Sequence, residues 1–141
     1  DLDTFIEENS IGIIDFIKID VEGAELEIFK GGIKTLKDIT FIVSEVEFIQ
    51  HHDNQPLFGE ISKFLSQSGF MFHKFLGLAG RTLKPLILND EPLFASQHIW
   101  SDAVFIRNII NTSKMSNENL VKSAVLTYIY GSPDLTYFYL I

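Results

Sequence analysis

The period of apolar and polar positions changes several times along this chain, and each change marks an element. From Asp15 to Val21 the period is two. Ile17, Ile19 and Val21 share one face, while Phe16, Lys18 and Asp20 share the other and Glu22 continues it. This predicts a strand over 15–21. Gly23 then offers a tight turn, after which Leu26, Phe29, Ile33 and Leu36 recur at helical spacing. Gly31-Gly32 is expected to break that helix near its middle. Residues 39–48 predict a second strand. Pro56 suits the first turn of a helix with Leu57, Ile61, Phe64 and Leu65 on its apolar face and Gly69 at its C-terminal end. Further strands are predicted at 70–75 and 102–107. Near the start, Asp3 is placed to cap a short helix over residues 4–8.

Strand and helix alternating in this way predict an α/β fold, a parallel sheet wrapped by helices. Ligands of such sheets bind beyond the carboxyl ends of the strands. Those ends are Asp20-Val21-Glu22-Gly23 and residues 45–48. The stretch from Gly77 to Trp100 is too long for an ordinary turn, and long connections often carry function. From Asn108 the character changes. Asn111-Thr112-Ser113 reads as a linker. Ser116 is placed to cap a helix with Leu120, Val121, Ala124, Val125 and Tyr128 on one stripe, Gly131 to end it, and Ser132-Pro133 to start another. The predicted organisation is a domain over 1–107 and a helical tail over 108–141.

Composition narrows the function classes. Of the 141 residues 46% are hydrophobic and 13% aromatic, enough for a packed core, and 21% charged residues exclude disorder by composition. The net charge of -8 argues against nucleic acid or an anionic membrane as a partner held by bulk attraction. With no cysteine there is no disulfide scaffold, thiolate zinc site or cysteine nucleophile. No apolar run approaches the ~18 residues of a membrane span, and Asp1-Leu2-Asp3 does not open a signal peptide. A cytoplasmic location is the expectation.

Charge on the 15–21 strand is the first candidate for chemistry, because parallel strands covered on both faces are usually apolar on both. Lys18, Asp20 and Glu22 must be paired or open to a cleft. One reading is an active-site carboxylate. The other is a Lys18–Asp20 ion pair, with Glu22 and Glu25 favoured by a helix N-terminus. Glu45 and Glu47 share one face of the next strand, and with Asp20 and His51-His52 they offer hard donors to a divalent cation. Adjacent histidines lack ligand spacing, so no metal site is expected and a solvated loop pair is preferred. Arg81 is read as an anion or sugar contact or as surface, Lys84 chiefly as surface, and Trp100 as a sugar-stacking ring or as core. Asp102 is left open between capping, pairing with Arg107 and facing the cleft. No GxGxxG, Walker or GxSxG motif occurs.

At residues 16–25, FIKIDVEGAE, followed by LEIFKG over 26–31, the sequence resembles the FkbM family of S-adenosylmethionine-dependent methyltransferases. Leu2-Asp3-Thr4-Phe5 resembles the family's lead-in, and segments at 42–46, 56–60 and 101–107 follow in the expected order, so the resemblance runs over about 1–107. It implies a Rossmann-like class I methyltransferase sheet of which these strands are the fourth, fifth, seventh and sixth, in the order 4-5-7-6. It implies methyl transfer from S-adenosyl-L-methionine to oxygen, commonly a hydroxyl of a sugar, glycan or related small-molecule acceptor. The glycine-rich cofactor loop does not occur in these residues, so cofactor-binding positions stay unassigned. The expectation is the C-terminal part of a methyltransferase domain, inactive without the missing N-terminal half of that domain. The carboxylates expected to take the acceptor's proton are Asp20, then Glu22, then Glu45. Arg81, Trp100 and His51 are the expected substrate contacts. The alternative is a non-catalytic α/β module whose acidic motif is structural and whose helical tail binds a partner. A nucleotide-sugar enzyme is a further reading, and it would require a dinucleotide fingerprint upstream.

Overall fold

The computed structural model describes residues 1–85 and 96–141. Helix α1 spans Leu2–Glu8, β1 Phe16–Ile19, α2 Glu25–Lys30, β2 Phe41–Glu47 and α3 Phe58–Gln67. Then come β3 (Phe70–Phe75), β4 (Ala79–Arg81), β5 (Gln97–Arg107), α4 (Asn117–Ile129) and α5 (Pro133–Leu140).

Local chemistry explains most of these bounds. Helix α1 starts two residues earlier than predicted, because Asp1 rather than Asp3 caps it; the Asp1 carboxylate accepts from the Thr4 N–H at 2.9 Å. Asp3 reaches across the chain instead. It accepts from the backbone N–H groups of Lys34 and Thr35 at 2.9 Å each and from the Thr35 hydroxyl at 2.6 Å. Burial would push the Asp3 carboxyl up, but these donors outweigh it and hold the carboxyl below its usual value. Helix α2 stops at Gly31, and the remaining periodic residues continue as a 3₁₀ turn at Thr35–Lys37. Pro56 lies just before α3 rather than inside it, and the Glu60 carboxylate accepts from the Leu57 N–H at 3.0 Å.

The sheet is mixed: β1 and β2 pair in parallel, as the strand–helix alternation predicts, and the last two predicted strands pair antiparallel. Its order is β1-β2-β5-β3, with β4 pairing β5 off that path. β1 and β2 run parallel, and β5 is antiparallel to β2, β3 and β4. β5 begins at Gln97, five residues before the predicted start, because Ala79–Arg81 pairs with it. The connection predicted between Gly77 and Trp100 is therefore partly strand. Its residues 86–95 lie outside the described residues.

Helices cover both faces. On one, Phe29, Ile61 and Leu65 pack with Ile19, Ile42, Val46, Ala103 and Phe105. On the other, Ala124, Leu135 and Tyr139 from α4 and α5 pack with Phe41, Val43, Val104 and Ile106. The predicted linker at 111–113 lies within a 3₁₀ turn, Ile109–Lys114. Ser116 caps α4 as expected, accepting from the Asn119 N–H at 3.2 Å. The buried stripe of α4 is rotated from the predicted one: Ser123, Ala124 and Thr127 face inward, while Val121, Val125 and Tyr128 are exposed. Small side chains let α5 approach. Thr127 Oγ1 bonds the Ser123 and Ala124 carbonyls and lies 3.0 Å from the Thr136 hydroxyl, so burying it costs little.

Candidate active site

β1 ends because the next residues leave the extended conformation. Glu22 and Gly23 have φ of +53° and +108°, values that glycine tolerates and other residues rarely adopt. The turn is held from inside by Glu25, which is fully buried. Its carboxylate accepts from the Val21 N–H at 2.9 Å and from the Gly23 N–H at 3.0 and 3.2 Å. Gln55 packs against the same turn. A Cβ on Gly23 would lie 2.9 Å from Gln55 Nε2. Gln55 Oε1 in turn accepts from the backbone N–H groups of His51 and His52, at 2.8 and 3.2 Å. One buried carboxylate and one buried amide therefore lock together the two loops that follow β1 and β2.

Beside this floor the α4/α5 face of the sheet changes from apolar to polar. Along β2 the alternate positions read Phe41, Val43, Glu45, Glu47. Their register partners on β5 read Ile106, Val104, Asp102, Trp100. Phe16 and Lys18 of β1 stand beside Phe41 and Val43, so Asp20 follows next to Glu45. Helices α4 and α5 cover the apolar half. The polar half, the candidate cleft, lies at the carboxyl ends of β1 and β2, with Trp100, 43% exposed, opposite Glu47.

The charges in the cleft are unequally compensated. Lys18 Nζ lies 3.4 Å from Asp102 Oδ1 and 3.5 Å from Asp20 Oδ2. Burial would lower the Lys18 ammonium, but Asp102 first and Asp20 second push it up. Glu45 and Glu47 have no cationic partner among the described residues. Burial pushes Glu45 up to about 7, aided by the carboxylates of Asp20, Glu47 and Glu25 and by a hydrogen bond with Asp20. Glu47 is 4% exposed and raised too, first by burial and then by Glu25. Its Oε2 has no hydrogen-bond partner among the described residues.

The residues expected from sequence are only partly brought together. Asp20, Glu45 and Trp100 share the cleft. Glu22 is exposed in the strained turn, His51 is exposed in the loop after β2, and Arg81 is exposed on β4. The Lys18–Asp20 pair exists, but both side chains are about half exposed. Asp102 faces the cleft and pairs with Lys18. Arg107 donates instead to the carbonyls of Leu36, Lys37 and Ser68 and sits 4.1 Å above the Phe70 ring. Glu47 and Glu25 are the contributors that sequence reasoning undervalued. For Glu47 the available signal was the alternation itself, which turns from apolar to acidic within one strand. Among the described residues no group of three or more histidine or acidic side chains is arranged to hold a metal ion, and no helix is long and apolar enough to cross a membrane.

Comparison with known proteins identifies the lineage of this cleft. The Methyltransferase FkbM domain matches residues 1–72, just over half of the chain, and that span includes the turn after β1 and both glutamates of β2. No curated protein and no solved structure matches. The motif at the end of β1, the cleft it borders and the family match agree, and the chain belongs to the FkbM methyltransferase family.

Proposed function

We propose that this chain carries the acceptor side of an S-adenosylmethionine-dependent O-methyltransferase acting on a hydroxyl of a sugar, glycan or related metabolite. The observation that carries this reading is the polar half-face of the sheet, where Asp20 and Glu45 stand at the carboxyl ends of two parallel strands and Trp100 of β5 lies opposite Glu47. In this reading β1, β2, β5 and β3 are the fourth, fifth, seventh and sixth strands of a Rossmann-like sheet, consistent with their order and with the antiparallel β5.

The described residues do not by themselves fit the cofactor. Its carboxylate end calls for free backbone N–H donors, and at the turn after β1 the N–H groups of Val21 and Gly23 already bond Glu25. The cofactor would supply an electrophilic methyl group, and its main contacts are assigned to parts of the domain outside these strands. The roles within this chain concern the acceptor. Glu45, with a pKa of about 7, is suited to accept the proton of the attacking hydroxyl near neutral pH. Asp20 stands beside it at the end of β1 and orients that carboxyl. Trp100 offers a ring face to a sugar.

The test is Glu45→Gln in the intact enzyme. Methyl transfer is expected to fall ~10²–10⁴-fold with the melting temperature held. Wild-type kcat/KM, which reports the free enzyme, is expected to rise with pH through about 7, where Glu45 loses its proton. A fully active Glu45→Gln enzyme with an unchanged pH profile removes Glu45 from this role. Asp20→Asn is the companion variant. Because the Lys18–Asp20 pair is about half exposed, this change is expected to cost less than about 1 kcal/mol of stability, so any loss of turnover reports on chemistry.

A further inference from the structure

We propose that the cleft binds the protonated amine of an amino-sugar acceptor between Glu45 and Glu47, with the sugar ring against Trp100. This deepens the methyltransferase reading and rests on it for the word acceptor; the binding itself is argued from the geometry.

Two carboxylates at alternate positions of β2 point to one face and form no ion pair among the described residues, although the charge of His52 acts on Glu47 from a distance. Lys18, the cation beside them, is already shared by Asp20 and Asp102. Glu47 is buried, and its Oε2 has no hydrogen-bond partner among the described residues. A buried carboxylate oxygen without a donor is costly, and a ligand N–H supplies what the fold withholds. A primary ammonium fits better than a metal ion. It carries three donors and bridges two carboxylates, whereas no group of three or more acidic or histidine side chains among the described residues is arranged to hold a metal. Trp100 stands directly opposite Glu47 in the strand register, where side chains of an antiparallel pair lie within reach of one another. Its partly exposed ring offers a stacking surface to a pyranose and a π face to the cation. An acidic wall facing an aromatic one is the chemistry of an amine on a ring.

Trp100 is the only tryptophan in the chain, so its fluorescence reports on this site alone. The experiment titrates the 141-residue chain with glucosamine, N-acetylglucosamine, glucose, methionine and magnesium chloride. A saturable change in emission is expected with glucosamine, at about tenfold lower concentration than with glucose or N-acetylglucosamine, which keep the ring but not the charge. Glu47→Gln is expected to abolish that preference. Because Glu47 is buried, Glu45→Gln serves as a second variant, on a partly exposed position, and is expected to weaken the preference with circular dichroism unchanged. Equal responses to glucose and glucosamine, or no saturable response, overturn the proposal. A response to magnesium alone overturns it in favour of a metal, and one to methionine in favour of the amino-acid end of the cofactor. Methyl transfer by the intact enzyme to neutral sugars, together with a failed titration, would sink the amine while leaving the methyltransferase reading in place.

Discussion

Glu25 shows how much of the site rests on one side chain. Its carboxylate is buried and takes the N–H groups of Val21 and Gly23, so it fixes the turn that places Asp20 beside Glu45. Glu25→Gln keeps the shape but leaves an amide with one accepting oxygen for donors that now share two. The expected loss is about 1–3 kcal/mol, read as a lower urea midpoint at unchanged slope. An unchanged midpoint would mean that the turn holds without this anchor. Gly23 is constrained for a different reason. Its positive φ is unfavourable for an L side chain, and a Cβ there would press on Gln55. The raised Glu45 and Glu47 carboxyls also have a cost: each is easier to bury protonated, so stability is lost as the pH rises above the unfolded value.

At the scale of elements, the join between the tail and the sheet is open to titration. The ladder of β3 shifts register between Phe72 and Lys74, leaving His73 without a register partner on β5. His73 Nε2 lies 2.8 Å from the Ser132 hydroxyl at the start of α5. Lys74 Nζ donates to the carbonyls of Tyr130 and Gly131, closing the same corner. Burial first and the Lys74 charge second lower the His73 pKa, with Asp134 opposing them. The sign follows. Above 6.5 the imidazole is neutral in both the folded and unfolded chain. As the pH falls below 6.5 the unfolded chain takes up the proton first, so stability is lost until the folded pKa is passed. Thermal unfolding from pH 8 to pH 5 is therefore expected to show a fall that His73→Gln reduces. An identical fall in the variant would place the titration elsewhere. The other end of the tail is tied by Lys122, which donates to Asp15 at 2.9 Å.

At the scale of the whole molecule, one sheet face is divided between packing and chemistry. Helices α4 and α5 cover its apolar half, and Asp102, Glu45, Glu47 and Trp100 occupy the rest. The turn after β1 spends its N–H donors on Glu25, and the 141 residues contain no glycine-rich nucleotide loop. The chain alone is therefore expected to bind S-adenosylmethionine with a dissociation constant weaker than about 1 mM. Calorimetry checks this, and micromolar binding would overturn the assignment of the cofactor contacts to strands outside this chain. β1 is paired on one side only among the described residues, which leaves its other edge open to a further strand.

Elements and faces were legible in the sequence alone. The period of two over 15–21 marked β1, the glycines after Lys30 ended α2, and Phe70–Phe75 was a strand by composition. The alternation also put Lys18 with Asp20, and Glu45 with Glu47, on common faces, because side-chain direction in a strand depends only on parity. Relations between distant segments were not legible. Asp102 met Lys18 rather than Arg107, and Trp100 came opposite Glu47, only through the register of β2 on β5, which the burial of Val43 against Val104 determines. The inward stripe of α4 was likewise decided by its neighbour. The predicted stripe follows hydrophobicity, but close approach of α5 selects the small residues Ser123, Ala124 and Thr127 and turns Val121 and Val125 to solvent. Local pattern fixes how each segment is shaped and which way its side chains point. Only packing across the chain decides which of them face one another, and a site is made of those facings.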